Sequence, residues 1–265
     1  MSKISYLGDK YTHTFVAGEK IRDKNDELLG YKTIRASLDA VINGETDYVI
    51  APIENSCGGS VADTLDALWS MPLYIVKETV LAVPQNLICY KGAKKEDIRV
   101  IYSHPQAISQ CNDYLQANFA DADIIATSST ATALSFVKDK TVGAIARTTA
   151  LGTEILEEEI EDVKNNSTRF VLLSTEPSKT GNKCSVVFET RNTLGALVQA
   201  LGLFESVGLN MTKIESHPHK SMLGRYIFFV DFDFGDDEER LSKILGLLAQ
   251  STLAMKFLGR YSSVK

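Results

Sequence analysis

Five short clusters carry the side chains able to handle an acidic small molecule. Asn55 and Ser56 follow the apolar run Tyr48–Ala51 and precede Cys57-Gly58-Gly59-Ser60, so polar groups and glycines stand where a chain leaves a sheet; a capped turn would use the same residues. Ser103 lies just before His104-Pro105, and its plainer reading is a helix cap with proline in the first turn. Gln110, four residues after Gln106, turns towards that same helix end, where it serves as a ligand group or as a solvated glutamine. Thr127-Ser128-Ser129-Thr130 precedes another helical pattern; one hydroxyl suffices for a cap, and four are more than a cap needs. The most informative cluster is Asn165-Asn166-Ser167-Thr168-Arg169-Phe170, which joins a fixed cation and a hydroxyl at the start of an apolar run. Arg169 can grip a carboxylate bidentately and Thr168 could donate to a departing oxygen; a polar turn entering a strand is the alternative.

Other chemistries fall away. His104 has no visible carboxylate partner and reads as structural, and His217 and His219 share a strand face without the further ligands a metal needs. No metal or cofactor is expected. The four cysteines, Cys57, Cys89, Cys111 and Cys184, have neither disulfide-framework nor zinc spacing. A net charge of −6 is spread along 265 residues, which argues against nucleic acid. With 44% apolar and 23% charged residues the composition is that of a globular protein, with no apolar run long enough to span a membrane. The N-terminus enters a strand-like run with no leader pattern, so a cytoplasmic location is expected.

The elements that must position these clusters alternate strand and helix through the first two-thirds, predicting α/β architecture. Strands are expected at Ile4–Gly8, 31–33, Tyr48–Ala51, Arg99–Ser103, Ile124–Ala126 and Val142–Ala146. Helices are expected after Tyr11 and over Ile34–Ile42, Pro105–Phe119 and Thr130–Val137. These form two βαβαβ lobes facing a cleft, crossed by Lys77–Leu87 and recrossed by Asn165–Ser174. Helix N-termini at strand carboxyl ends suit an anion. The first lobe takes about residues 1–78 plus 166–176 and the second about 79–165. A Pro/Gly/Ser/Lys-rich run, 175–183, then reads as a linker. Residues 183–265 follow a βαββαβ order, the ferredoxin-like α+β plan of a small regulatory module.

Taken in order, these pieces resemble the prephenate dehydratase family over nearly the whole chain. The matching stretches are YLG at Tyr6–Gly8, APIENS at Ala51–Ser56, SHPQ with QC from Ser103 to Cys111, ST at Ser129-Thr130, STRF at Ser167–Phe170, GALV at Gly195–Val198 and KIES-P at Lys213–Pro218. The resemblance implies a periplasmic-binding-protein-like catalytic domain over 1–176, an ACT domain over 183–265, and decarboxylating dehydration of prephenate to phenylpyruvate in phenylalanine biosynthesis. It assigns Thr168, Asn55, Ser103 and Gln110 to catalysis, with Thr168 as hydrogen-bond donor to the leaving hydroxyl. Arg169, as carboxylate anchor, and Thr12, Ser56, Ser129, Thr130 and Phe170 fall to substrate binding. Gly195, Ala196, Leu197, Val198, Glu215, Ser216, His217 and Pro218 fall to an L-phenylalanine effector site, and ACT pairing implies a homodimer or homotetramer. Three departures stand out. The family's Gly-Pro-x-Gly-Thr-Phe is here Gly8-Asp9-Lys10-Tyr11-Thr12-His13, His217 stands where an arginine is usual, and Arg147–Leu156 is shorter than the family's helical region. Alternatives on the same fold are an arogenate dehydratase and a non-catalytic ligand sensor.

Overall fold

Two sheets carry the clusters, and each has at one end a parallel triplet of strands joined by helices. The computed structural model describes residues 1–10, 12–164, 166–220, 224–235 and 237–264. In chain order the first half runs β1 (Lys3–Leu7), α1 (His13–Ile21), β2 (Glu27–Tyr31), α2 (Ile34–Ile42), β3 (Tyr48–Asn55), β4 (Gly59–Ser60), α3 (Ala62–Ser70) and β5 (Tyr74–Ala82). The second sheet comes next, with β6 (Asn86–Tyr90), β7 (Val100–Ser103), α4 (Pro105–Gln110), α5 (Asn112–Asn118), β8 (Asp123–Ala126), α6 (Thr130–Leu134), β9 (Val142–Ala146) and β10 (Thr153–Glu157). The chain returns through β11 (Ser167–Ser174) and continues with β12 (Lys183–Glu189), α7 (Ala196–Ser206), β13 (Asn210–Pro218), β14 (Tyr226–Asp233), α8 (Glu238–Ser251) and β15 (Ala254–Val264).

The parallel triplets β2-β1-β3 and β8-β7-β9 are the two expected βαβαβ units. Their helices start where side chains replace missing backbone partners: Thr12, Thr33 and Ser129 each accept from an N–H in the first turn of α1, α2 and α6. Antiparallel β11 inserts between β3 and β5, so the strand bearing Thr168 and Arg169 is central. Beneath it, Val171 and Leu173 pack with Val49, Leu65, Leu68 and Ile75, all buried. Each such large side chain contributes roughly 1.5–3 kcal/mol, so the strand is anchored along most of its length.

Several expectations shift. The second strand is Glu27–Tyr31, because Thr33 has already left the sheet to cap α2. The helix expected over Pro105–Phe119 breaks at Cys111, whose backbone (φ −118°, ψ 20°) is not helical, and that expected over Thr130–Val137 stops at Leu134. The end of the stretch read as a shortened helical region, Arg147–Leu156, lies in β10, antiparallel to β6. Tyr11 and Asn165 lie outside the described residues. The run 175–183 does not isolate the C-terminal unit. The end of β15 pairs in parallel with β5 (Ser262↔Lys77 to Val264↔Thr79), making one ten-stranded sheet, and Val187, Ile227, Phe229, Leu258 and Tyr261 share a core with the first unit.

Candidate active site

Where β3 and β11 end beside each other, Thr168 is registered opposite Asn55. The Asn55 carboxamide is oriented without ambiguity. Its Oδ1 accepts from the backbone N–H groups of Cys57 (3.0 Å) and Gly58 (2.7 Å), so Nδ2 must face the other way. There it donates to Thr168 Oγ1 at 2.9 Å, Asn166 Oδ1 at 2.9 Å and the Ser167 carbonyl at 3.2 Å. Thr168 is therefore an acceptor towards Asn55, which leaves its own O–H free to donate elsewhere. Gly58 permits this: a Cβ there would stand 2.7 Å from Gln106 Nε2 and 3.3 Å from Asn55 Oδ1. A register irregularity between Arg169 and Phe170, which pair with Glu54 and Pro52, brings both Asn55 and Pro52 to the cleft although they are three residues apart.

The amide chain crosses to the second sheet's elements. Asn166 Nδ2 donates to Gln110 Oε1 (3.0 Å) and the Val83 carbonyl (3.1 Å), and Gln85 Nε2 donates to Gln110 Oε1 (3.3 Å). Together these groups border a cleft of about 380 Å³ that also takes in Ser128, Ser129, Thr130, His104, Gln106, His13 and Phe170. That volume suits a small molecule. Among the described residues its lining holds no Lys, Arg, Asp or Glu. Positive potential comes instead from helix starts: residues at the N-termini of α1, α4 and α6 and the cap residue of α3, Val61, all border the space. His13 begins α1; burial, with Arg147 nearby, pushes its imidazole down to about 4, so it is neutral at pH 7, and its buried Nε2 has no hydrogen-bond partner among the described residues.

Of the residues expected at the site, Thr168, Asn55, Gln110, Ser129, Thr130 and Phe170 line this cleft together. Four others do not. Arg169, expected as the carboxylate anchor, points to the opposite face of β11, as strand alternation dictates for the neighbour of Thr168. There its guanidinium bonds Glu78 (2.7 Å), Asp231 (2.5 Å) and Tyr261 Oη (2.9 Å). Burial works against that charge, but Asp231, Tyr261 and Glu78 outweigh it and raise the guanidinium above its usual range. Ser103 is fully buried and donates to the Ile145 carbonyl at 2.7 Å; the cap of α4 is His104, whose Nδ1 accepts from Gln106 N–H. Thr12 is spent on α1 and on the carbonyls of Leu7 and Asp9, and Ser56 accepts from Ser167 N–H. Sequence reasoning missed Asn166, Gln85 and His13 as cleft groups. The signals were present: a polar pair ahead of Thr168, a Pro-Gln-Asn break in an apolar run, and a histidine at a phenylalanine position.

In the C-terminal unit Gly195, Ala196, Leu197 and Val198 border a second groove of about 480 Å³ with Arg191, Arg225, Tyr226 and Phe228. Gly195 caps α7 with φ +76°, a left-handed conformation that favours glycine. Glu215, Ser216, His217 and Pro218 are not part of that groove, so within one chain the two expected effector motifs do not meet. His217 instead bonds Asp66 of α3 at 3.0 Å, and Lys220 adds a second contact at 2.6 Å; despite burial, these partners hold the Asp66 carboxyl below its usual range.

A family model described as "Prephenate dehydratase" matches residues 4–178. The chain is 36% identical over 266 residues to a bifunctional chorismate mutase/prephenate dehydratase of Neisseria gonorrhoeae, covering 97% of this chain and 74% of that protein. It is 32% identical over 281 residues to a prephenate dehydratase of Bacillus subtilis, covering 98% and 99%. A crystal structure of prephenate dehydratase from Arthrobacter aurescens in complex with L-Phe superposes with a TM-score of 0.86 at 30% identity, covering 98% of this chain and 90% of that one.

Proposed function

The chain belongs to the prephenate dehydratase family, and on that premise we propose how its cleft turns prephenate into phenylpyruvate and how its C-terminal unit senses L-phenylalanine. In the reaction the ring carboxylate leaves as carbon dioxide, and its bonding pair enters the ring. The ring aromatises and expels the hydroxyl opposite, which takes up one proton and leaves as water. No covalent partner is needed; what lowers the barrier is orientation and stabilisation of the departing oxygen.

One observation carries this reading: Asn55 donates to Thr168, which leaves the threonine O–H free to donate into the cleft. Thr168 then gives that hydrogen bond to the leaving hydroxyl, and the proton that completes water comes ultimately from solvent. Threonine is too weak an acid to ionise usefully, so its part is donation. Asn55, Asn166, Gln110 and Gln85 hold the donor in place, while Ser129, Thr130 and the helix starts receive the carboxylates. Phe170 backs the ring. Because the lining, among the described residues, holds no carboxylate to pair with an ammonium group, the keto acid fits better than arogenate.

We assign residues 1–176 to a two-lobed, periplasmic-binding-protein-like catalytic domain and 183–265 to an ACT domain. The groove at Gly195–Val198 would take L-phenylalanine. Its carboxylate would lie on the open N–H groups of α7, and its ring beside Tyr226 and Phe228. As β13 is the outer strand of its sheet, a second copy pairing there would form a homodimer and bring another set of Glu215–Pro218 towards the groove. Purified protein should form phenylpyruvate from prephenate, with arogenate turned over more slowly and L-phenylalanine changing the rate. Absence of turnover would leave a ligand sensor.

A further inference from the structure

We propose that Glu54 and Arg169 are positioning residues, through which the C-terminal unit clamps the Thr168–Asn55 pair from the opposite face of the same two strands. The inference rests on the site assignment above and adds residues to it.

Register makes the case. Thr168 is opposite Asn55 and the next pair is Arg169 opposite Glu54, so the cleft-facing couple is followed immediately by a charged couple facing away. Each member of the charged couple is taken by the C-terminal unit. Arg169 bonds Asp231 of β14 at 2.5 Å and Tyr261 of β15 at 2.9 Å, while Glu54 pairs with Lys213 of β13 at 2.7 Å. The Arg169 end is further braced, since Glu78 binds both Arg169 and Lys183, and Ser185 links Asp231 to Tyr261. On the β3 side the ladder slips just here, between Arg169 and Phe170, while on the other edge β11 stays in register with β5 from Ser167 to Leu172. Beyond that slip the end of β3 has β11 as its main ladder partner, side-chain ties add to that constraint, and a small displacement of Arg169 or Glu54 moves Thr168 or Asn55 through one peptide unit. Three different C-terminal strands thus hold the two strand ends that carry the donor and its orienting amide.

The Glu54–Lys213 arm is partly exposed and allows a charge exchange in the full chain. Lys213→Glu should lower kcat about ten-fold while KM for prephenate moves less than about two-fold, the signature of a displaced catalytic group with substrate binding retained. Adding Glu54→Lys should restore kcat to within about two-fold of wild type, which a loss of general stability would not do. Backbone hydrogen exchange supplies a readout that needs no turnover: peptides spanning 54–56 and 167–169 should exchange faster in Lys213→Glu and return to wild-type rates in the exchanged pair. Should Lys213→Glu fail to fold, Lys213→Met takes its place, with a smaller loss expected. A folded variant with wild-type kcat and unchanged exchange overturns the clamp, as does a folded charge exchange that rescues neither. If wild-type protein makes no phenylpyruvate, the reaction assignment falls, whereas the exchange measurement still decides the clamp.

Discussion

Replacing Thr168 by valine removes one hydroxyl and almost no volume, so it isolates the hydrogen bond assigned to the leaving group. Stability should suffer little. Asn55 Nδ2 loses one of three acceptors but keeps Asn166 Oδ1 at 2.9 Å and the Ser167 carbonyl at 3.2 Å, so no donor is orphaned. The cost to folding is then at most about 1 kcal/mol. Catalysis should suffer much more, because the donor acts on an oxygen that gains negative charge as it departs. Removing one preorganised donor of this kind costs about 2.7–4 kcal/mol, a drop of roughly 10²–10³ in kcat. Phenylpyruvate formation at saturating prephenate measures this directly, with a thermal unfolding scan as the control. Thr168→Ser keeps the donor and should retain most of the rate. A folded Thr168→Val enzyme with kcat within about three-fold of wild type would refute the assigned role, since even a weak donor to a charged oxygen is worth more than that.

Further outcomes arise from the other placements. Folded His13 is held at about 4 against 6.5 for the free side chain, so between those values the unfolded chain binds a proton that the folded chain does not. Stability should be full above pH 6.5 and fall by about 2–3 kcal/mol as the pH drops towards 4. In His13→Phe the melting temperature should fall less steeply over that range, and an unchanged slope would contradict the buried neutral imidazole. Ser103→Ala removes a buried bond to the Ile145 carbonyl away from the cleft; it should cost about 1–2 kcal/mol in denaturant unfolding and leave kcat within about two-fold of wild type. A large loss of kcat in folded protein would return Ser103 to the active site. Gly195→Val forces a β-branched residue to φ +76° at the start of α7, at about 1–3 kcal/mol, and should weaken the response of turnover to L-phenylalanine without altering the rate in its absence. Binding calorimetry with L-phenylalanine checks it; wild-type affinity would remove the groove from the effector site.

Local pattern made the parallel triplets legible, because alternation of short apolar strands with capped helices is written within a few residues. It also pointed to Asn55, Gln110, Ser129, Thr130 and Thr168, which line the cleft, since polar groups at strand ends and helix starts have few other places to be, whereas Phe170 came from the family resemblance. Arg169 shows where such reasoning stops. In composition it is an ideal carboxylate ligand, yet its direction is set by Thr168 facing the cleft, and its partners Glu78 and Asp231 are 91 and 62 residues away. Ser103 likewise took a direction that its neighbours do not announce: the cap went to His104, and the serine donates inward to a carbonyl of β9. Nor did the linker-like run 175–183 disclose that β15 would continue the first sheet, because strand pairing at that distance leaves no local mark.

Arg169 turning away also bears on how the cleft can work. A doubly charged substrate invites fixed cations, yet Arg169 lies behind Thr168 and Arg147 acts on His13 from outside the lining. In a decarboxylation the charge on the departing carboxylate is lost on the way to carbon dioxide, so a guanidinium against it would stabilise the ground state more than the transition state and slow the step. Hydroxyls, amides and helix starts orient the same group with weaker, dispersed attraction. In the role proposed for it, the donor on Thr168 would face the opposite change, since the leaving hydroxyl gains charge as the carboxylate loses it. Under the proposed assignment, diffuse positive potential for binding with one aimed donor where negative charge appears would favour the transition state over bound prephenate. The strong ion pairs of Arg169 and Glu54 lie on the reverse face of β3 and β11, outside the cleft lining, where the proposed clamp would act without touching the reacting charges.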